Sequence, residues 1–347
     1  MSRSYRFATA IGSLPVTDSE AACDIVLNSI PSSPGWPQLP NRAFEEGMYQ
    51  QFLEGIPGVV FDREKNRISF DTVTDREGRL LKFFERYVAD NPDDFALSEK
   101  FAAGFYTFVR RLEKGLPAGL RYLKGHVTGP ISYGLGLTDQ DKKLILYDPE
   151  FIDAIIKGVT MNARWQVRQL KRFHPDVIIF IDEPYLVSFG SAYVSLSRED
   201  VIRMMNEVVA GIHAEGALAG MHCCGNTDWS LVASTDLDII NFDAYNFSHT
   251  IALYPEAIGA FLARGGVLAW GIVPTAEEVM QEDADSLFAR LEEGVARLIA
   301  EGLPEAQVRD QLIITPSCGT GSLTVSQAEQ VFRLLREVAE RLQVVVS

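Results

Sequence analysis

Three of the four cysteines and one of the five histidines of this 347-residue chain fall in two short strings, MHCCGN at 221–226 and PSCGTG at 316–321. In an extended strand residues i and i+2 face the same side, so His222 and Cys224 reach a common point while Cys223 turns into packing. Cys318 arrives from a distant segment and joins them if the fold closes between the two strings. An imidazole with two thiolates is a nitrogen/sulfur donor set that suits Zn²⁺, and three protein ligands with one open position is the arrangement of a catalytic site. Asp243, at the end of the next apolar run, is a candidate weak fourth ligand that a substrate would displace. Spacing alone also allows the three cysteines to be small buried hydrophobes and His222 a satisfied core histidine.

The elements that must position these residues are legible as short apolar runs at 8–16, 124–132, 177–184, 217–224, 238–245, 267–273 and 312–318. They alternate with helix-periodic segments at 149–172, 197–214, 275–301 and 324–342, which is a β-then-α order. Seven strands are counted directly, and GVVFD at 58–62 or ISFDT at 68–72 supplies the eighth. The segment 31–40, PSSPGWPQLP, is too rich in proline for a helix or a central strand. The expected fold is a (β/α)₈ barrel, one catalytic domain over 1–347 with N-terminal insertions. No GxGxxG or GxxxxGK[ST] element follows a strand, which speaks against dinucleotide and P-loop readings. Several runs end in polar or small residues, namely Gly12-Ser13, Thr128-Gly129-Pro130, Asp182-Glu183, His222 to Cys224, Asp243 and Cys318-Gly319. Barrel active sites gather at those C-terminal strand ends.

Composition narrows the class further. With 47% hydrophobic and 23% charged residues the chain is ordinary for a globular protein. Its 47 acidic against 32 basic residues give a net charge of −15, a field that repels nucleic acid and anionic lipid. No apolar run of signal-peptide or membrane-spanning length is present, so a cytoplasmic protein is expected. Four unevenly placed cysteines are too few for a disulfide framework.

The strings HCCGN and PSCGTG, with IGSLP near the N-terminus, FIDEP and DLDIINFD, resemble the catalytic domain of cobalamin-independent methionine synthase, within the uroporphyrinogen decarboxylase-like superfamily. That superfamily includes zinc methyltransferases that carry a methyl group from a corrinoid protein to coenzyme M, and the Cys-Gly-Asn after Cys223 is closer to theirs. The resemblance implies His222, Cys224 and Cys318 as zinc ligands, with Asp243 where relatives carry a ligating glutamate one methylene longer. It implies that Asp182, with Glu183 beside it, holds the amino group of homocysteine, and that the Gly12-Ser13 loop receives the carboxylate. The plain alternative for Asp182 is a helix N-cap or a strand-end carboxylate bonded to backbone. Glu45 and Glu46 are the nearest acids for a second amine contact, though as residues of a solvated helix face they need no such role. GIVPT at 271–275 stands where full-length synthases have a histidine turn, and it contains no histidine. His126, Trp36, Trp229 and Trp270 are read as structural.

The function implied is zinc-dependent methyl transfer to the thiol of homocysteine, giving methionine. A thiol of pKa about 8.5 is mostly protonated at neutral pH, and a bound zinc removes that proton. Full-length synthases are two barrels that bind a folate in their cleft, whereas this chain reads as one barrel. The resemblance therefore points to the single-barrel branch and to a methylated corrinoid, free or on a corrinoid protein, as donor. Transfer to another thiol such as coenzyme M is the alternative within the superfamily. A metal-free decarboxylase of uroporphyrinogen type is the other, but no arginine cluster lies beside IGSLP.

Overall fold

The computed structural model describes residues 5–191 and 194–344. Nine strands occur in it: β1 (Phe7–Ala8), β2 (Val59–Asp62), β3 (Arg67–Phe70), β4 (Leu123–Thr128), β5 (Val177–Asp182), β6 (Leu218–Cys223), β7 (Ile239–Phe242), β8 (Val267–Val273) and β9 (Leu312–Pro316). Seven of these form one curled parallel sheet in the order β1-β9-β8-β7-β6-β5-β4. Every one of the seven apolar runs read from the sequence contributes a strand to it. Six of the seven are wholly buried over at least four of their residues, as strands covered on both faces must be.

The eighth position is filled by the proline-rich segment, against expectation. Lys124 N–H donates to Pro34 O (3.0 Å) and Trp36 N–H to Lys124 O (3.3 Å), while on the other side Gln38 N–H donates to Gly12 O (3.0 Å) and Leu14 N–H to Gln38 O (2.9 Å). Parallel bridges Gly35↔Lys124 and Ser13↔Gln38 mark the same two contacts. Prolines interrupt the ladder but cannot abolish it, because their carbonyls still accept and the alternate residues still donate. The segment thus lies between β1 and β4 and closes a (β/α)₈ barrel. The two runs that offered alternatives for the eighth strand, β2 and β3, instead pair with each other as an antiparallel hairpin in register Val59↔Phe70. Both are largely half-exposed, so they could not sit in the barrel wall. They belong to the N-terminal insertion.

Alternation along the strands separates two apolar layers. Phe7, Ile11, Ile178, Phe180, Ile239, Val267, Ala269 and Ile313 fill the barrel interior. Ile179, Ile181, Met221, Cys223 and Ile240 face the helices instead. The helices begin where capping chemistry dictates. Asp148 accepts from Glu150 and Phe151 N–H at the head of Pro149–Lys171, and Ser197 accepts from Asp200 N–H at the head of Arg198–Ala214. The stretch 275–301 is two elements, a 3₁₀ turn Glu277–Met280 and a helix Ala284–Ala300, because Asp283 and Ser286 form a reciprocal capping box that starts the helix there. Trp36, Trp229 and Trp270 are all fully buried.

Candidate metal centre

The strands end flush: Thr128 pairs with Asp182, and Asp182 with His222. Inward-facing residues at these ends therefore share one site. His222 in β6, Cys224 just beyond it and Cys318 just beyond β9 bring ligand atoms within 4.8 Å of one another, the one such group among the described residues. Cys223 points the opposite way, fully buried, and burial pushes its thiol up to about 12. Cys318 is held by its glycines. A Cβ on Gly319 would lie 2.2 Å from Ser13 Oγ, and one on Gly321 would lie 2.9 Å from Pro40 Cγ. That space is closed because the loop is clamped to the segment that follows β1: Thr320 N–H and Oγ1–H both donate to Ser13 O at 2.9 Å, and Gly321 N–H donates to Ser13 Oγ at 3.2 Å. The IGSLP and PSCGTG strings thus form one structural unit, which fixes the loop that carries Cys318.

The donor set fits a zinc ion. His222 is buried, with Nδ1 bonded to Asn241 Oδ1 at 2.5 Å and Nε2 without a partner of good geometry. A buried imidazole nitrogen left open beside two sulfurs is costly unless something binds it. Cys318 and His222 beside Cys224 pull its thiol down to about 4, while hydrogen bonding to Cys224 and burial push Cys318 well up. A divalent cation binds such thiols as thiolates and displaces their protons. Asp243 is not part of the group. Its side chain accepts from Asn246 N–H (2.9 Å) and Asn246 Nδ2–H (2.7 Å), capping the helix Ala244–Ile251.

A cavity of about 410 Å³ opens over the three ligands, and Ile11, Ser13, Gln38, Met48 and Asp182 help to line it. Asp182 is 8% exposed, its Oδ1 has no partner, and burial raises its carboxyl to about 6. It is neither a cap nor bonded to backbone, so the plain alternative does not hold. Glu183 is different. It is fully buried, and its oxygens accept from Ile131 N–H (2.9 Å), Ser132 N–H (2.7 Å) and Ser132 Oγ–H (2.6 Å), satisfying the head of the helix Pro130–Gly136. Its carboxylate is committed outside the cavity. Gly12 contributes backbone only, and a Cβ there would lie 3.0 Å from the His126 ring. Glu45 and Glu46 are buried rather than solvated: Glu45 bonds Arg63 and Lys100, and Glu46 accepts from Ala103 N–H at 2.6 Å. Neither lines the cavity.

Sequence reading missed three residues here. Asn241 is fully buried behind His222. Lys124 is fully buried in the barrel interior, its Nζ donating to Ile11 O at 2.5 Å and sitting 4.4 Å from the Phe180 ring centroid. Burial pulls its ammonium down to about 8 against the field of Asp182. Gln38 lines the cavity with its amide turned by a relay, Nε2 donating to Gln51 Oε1 (2.9 Å) and Gln51 Nε2 donating to Phe101 O (2.5 Å). A polar residue in an otherwise apolar strand run was the available signal for the first two.

No family model and no curated protein matches the sequence. Among solved structures, a putative vitamin-B12-independent methionine synthase from Listeria monocytogenes is similar at 14% identity, with a TM-score of 0.54 over 95% of this chain and 86% of that one. The fold is shared. A B12-independent methionine synthase from Shewanella sp. W3-18-1, in complex with selenomethionine, aligns at 18% identity and a TM-score of 0.46 over 69% of this chain. This chain spans 65% of the length of that protein. No helix among the described residues is long and apolar enough to cross a membrane.

Proposed function

We propose that this chain is a zinc-dependent methyltransferase of the cobalamin-independent methionine synthase family, acting as one catalytic domain that methylates the thiol of homocysteine. The observation that carries the reading is the convergence of His222, Cys224 and Cys318 within 4.8 Å at the floor of a cavity that also holds an unpartnered buried carboxylate. Zinc bound by these three residues would lower the pKa of a substrate thiol so that it is held as the thiolate. Asp182 receives the substrate ammonium, since it lines the cavity and its buried Oδ1 has no partner. The Gly12-Ser13 segment that follows β1 receives the carboxylate. Together they orient the sulfur toward the open side of the cavity, so catalysis is activation plus positioning. Glu183 supports the site through the Pro130–Gly136 helix, and Asp243 through the helix that it caps.

We propose a methylated corrinoid, free or on a corrinoid protein, as donor. The sequence resemblance to the single-barrel branch supports it. Methyltetrahydrofolate is the second reading, favoured by the putative B12-independent synthase of similar fold. The test offers homocysteine and coenzyme M against methylcobalamin and methyltetrahydrofolate, with zinc measured on the same sample. Methionine formed only with zinc and a methyl donor supports the reading; a zinc-free chain, or one inert toward homocysteine with both donors, refutes it.

A further inference from the structure

An imidazole offers a metal only the ring nitrogen that carries no proton, and its neighbours decide which one that is. For His222 the neighbour is Asn241, fully buried in β7. Its Nδ2 donates to the backbone carbonyl of Ala269 at 2.8 Å and to Thr315 Oγ1 at 2.7 Å. A backbone carbonyl can only accept, so the amide cannot be turned round. Asn241 Oδ1 must then face His222 Nδ1, 2.5 Å away, and an acceptor so placed requires an N–H. Nδ1 carries the proton, and Nε2, the buried ring nitrogen without a partner, is the one left for a cation.

Packing alone does not call for an amide here. Its neighbours on the interior face, Ile239, Val267, Ala269 and Ile313, fill the barrel with apolar groups. Burying an amide among them is costly unless each of its groups is bonded, and the three groups of Asn241 are. From this geometry we infer that Asn241 is a positioning residue of the metal centre: it fixes the tautomer and ring angle of His222 and, through Thr315, ties them to β9, the strand that delivers Cys318. The inference rests on the zinc reading above and extends it to a residue that touches neither metal nor substrate.

The experiment uses the full chain, stripped of metal and titrated with Zn²⁺ against a competing chelator. In parallel, ¹⁵N-histidine spectra read the tautomer of His222, assigned with His222→Gln. Two variants separate the roles. Asn241→Leu removes the acceptor, and Asn241→Asp keeps an acceptor for the imidazole but can no longer donate to Ala269 O. Zinc affinity is expected to fall about 10- to 100-fold in Asn241→Leu, with loss of the pure Nδ1–H form. Asn241→Asp is expected to hold the Nδ1–H form and an affinity within about tenfold of the parent. The proposal is overturned if Asn241→Leu binds zinc like the parent, if its tautomer is unchanged, or if Asn241→Asp loses as much affinity as Asn241→Leu, which is what a purely structural amide would give. Should Asn241→Leu fail to fold, a mixed or Nε2–H tautomer in Asn241→Asp overturns it as well. A parent chain that binds no zinc at all refutes the metal reading itself and is distinguishable from each of these results.

Discussion

Replacing Asp182 by asparagine should make the protein more stable and a worse enzyme, and both effects can be sized. Burial raises the carboxyl from 3.8 to about 6. The native state therefore holds this proton more tightly than the unfolded chain does. The resulting stability is fully present below pH about 4 and is lost as pH rises through about 6, a loss of roughly 3 kcal/mol. Asparagine is isosteric and neutral, so it removes the cost at pH 7.5 and changes little at pH 4. Lys124 takes part of the gain back, because its buried ammonium loses an opposing charge. A net gain of about 1–2 kcal/mol at pH 7.5 remains. Substrate binding should suffer, since a hydrogen bond to a charged group is worth about 1.5–3 kcal/mol. KM for homocysteine should then rise roughly 10- to 150-fold, with kcat changed less. Urea unfolding of metal-free protein at the two pH values, with initial rates across homocysteine concentration, measures both. A variant less stable than the parent at pH 7.5, or one with the parental KM, would refute the placement of Asp182 as an unpartnered carboxylate that waits for an ammonium.

Other expectations follow from single contacts. Cys318→Ser or Cys224→Ser should abolish stoichiometric zinc, whereas Cys223→Ser should keep it and lose only about 1 kcal/mol in urea, because that sulfur faces the helices. Asp243→Ala should retain zinc while losing about 1 kcal/mol from an uncapped helix; metal loss on chelator titration would instead make it a ligand. Gly319→Ala should weaken zinc binding although it touches no metal, because its Cβ meets Ser13 Oγ at 2.2 Å and must move the Cys318 loop. Unchanged affinity by the same titration would show the clamp to be loose.

Much of the fold was legible because parallel barrel strands are buried on both faces and read as plain apolar runs. The eighth segment was not, because Pro34 and Pro37 replace a regular ladder with scattered bridges and mimic a loop. The hairpin at 59–70 resembled a strand for the opposite reason: its pattern is local, and only the closed barrel shows that it has no place in the wall. Within the site, i/i+2 alternation placed His222, Cys223 and Cys224 correctly on their two sides. Asp182 and Glu183 looked alike as adjacent acids, yet they face opposite sides, one into the cavity and one onto a helix head. Asn241 escaped notice because a neutral amide in an apolar strand gains meaning only from the imidazole beside it on the neighbouring strand.

X-ray absorption at the zinc edge of the purified chain, with and without homocysteine, examines the convergence of the three side chains most directly. One zinc per chain is expected, with two sulfurs at about 2.3 Å and one nitrogen at about 2.0–2.1 Å, and a third sulfur at the same distance once homocysteine is added. Absence of zinc, or a first shell whose sulfur count is unmoved by homocysteine, would contradict it.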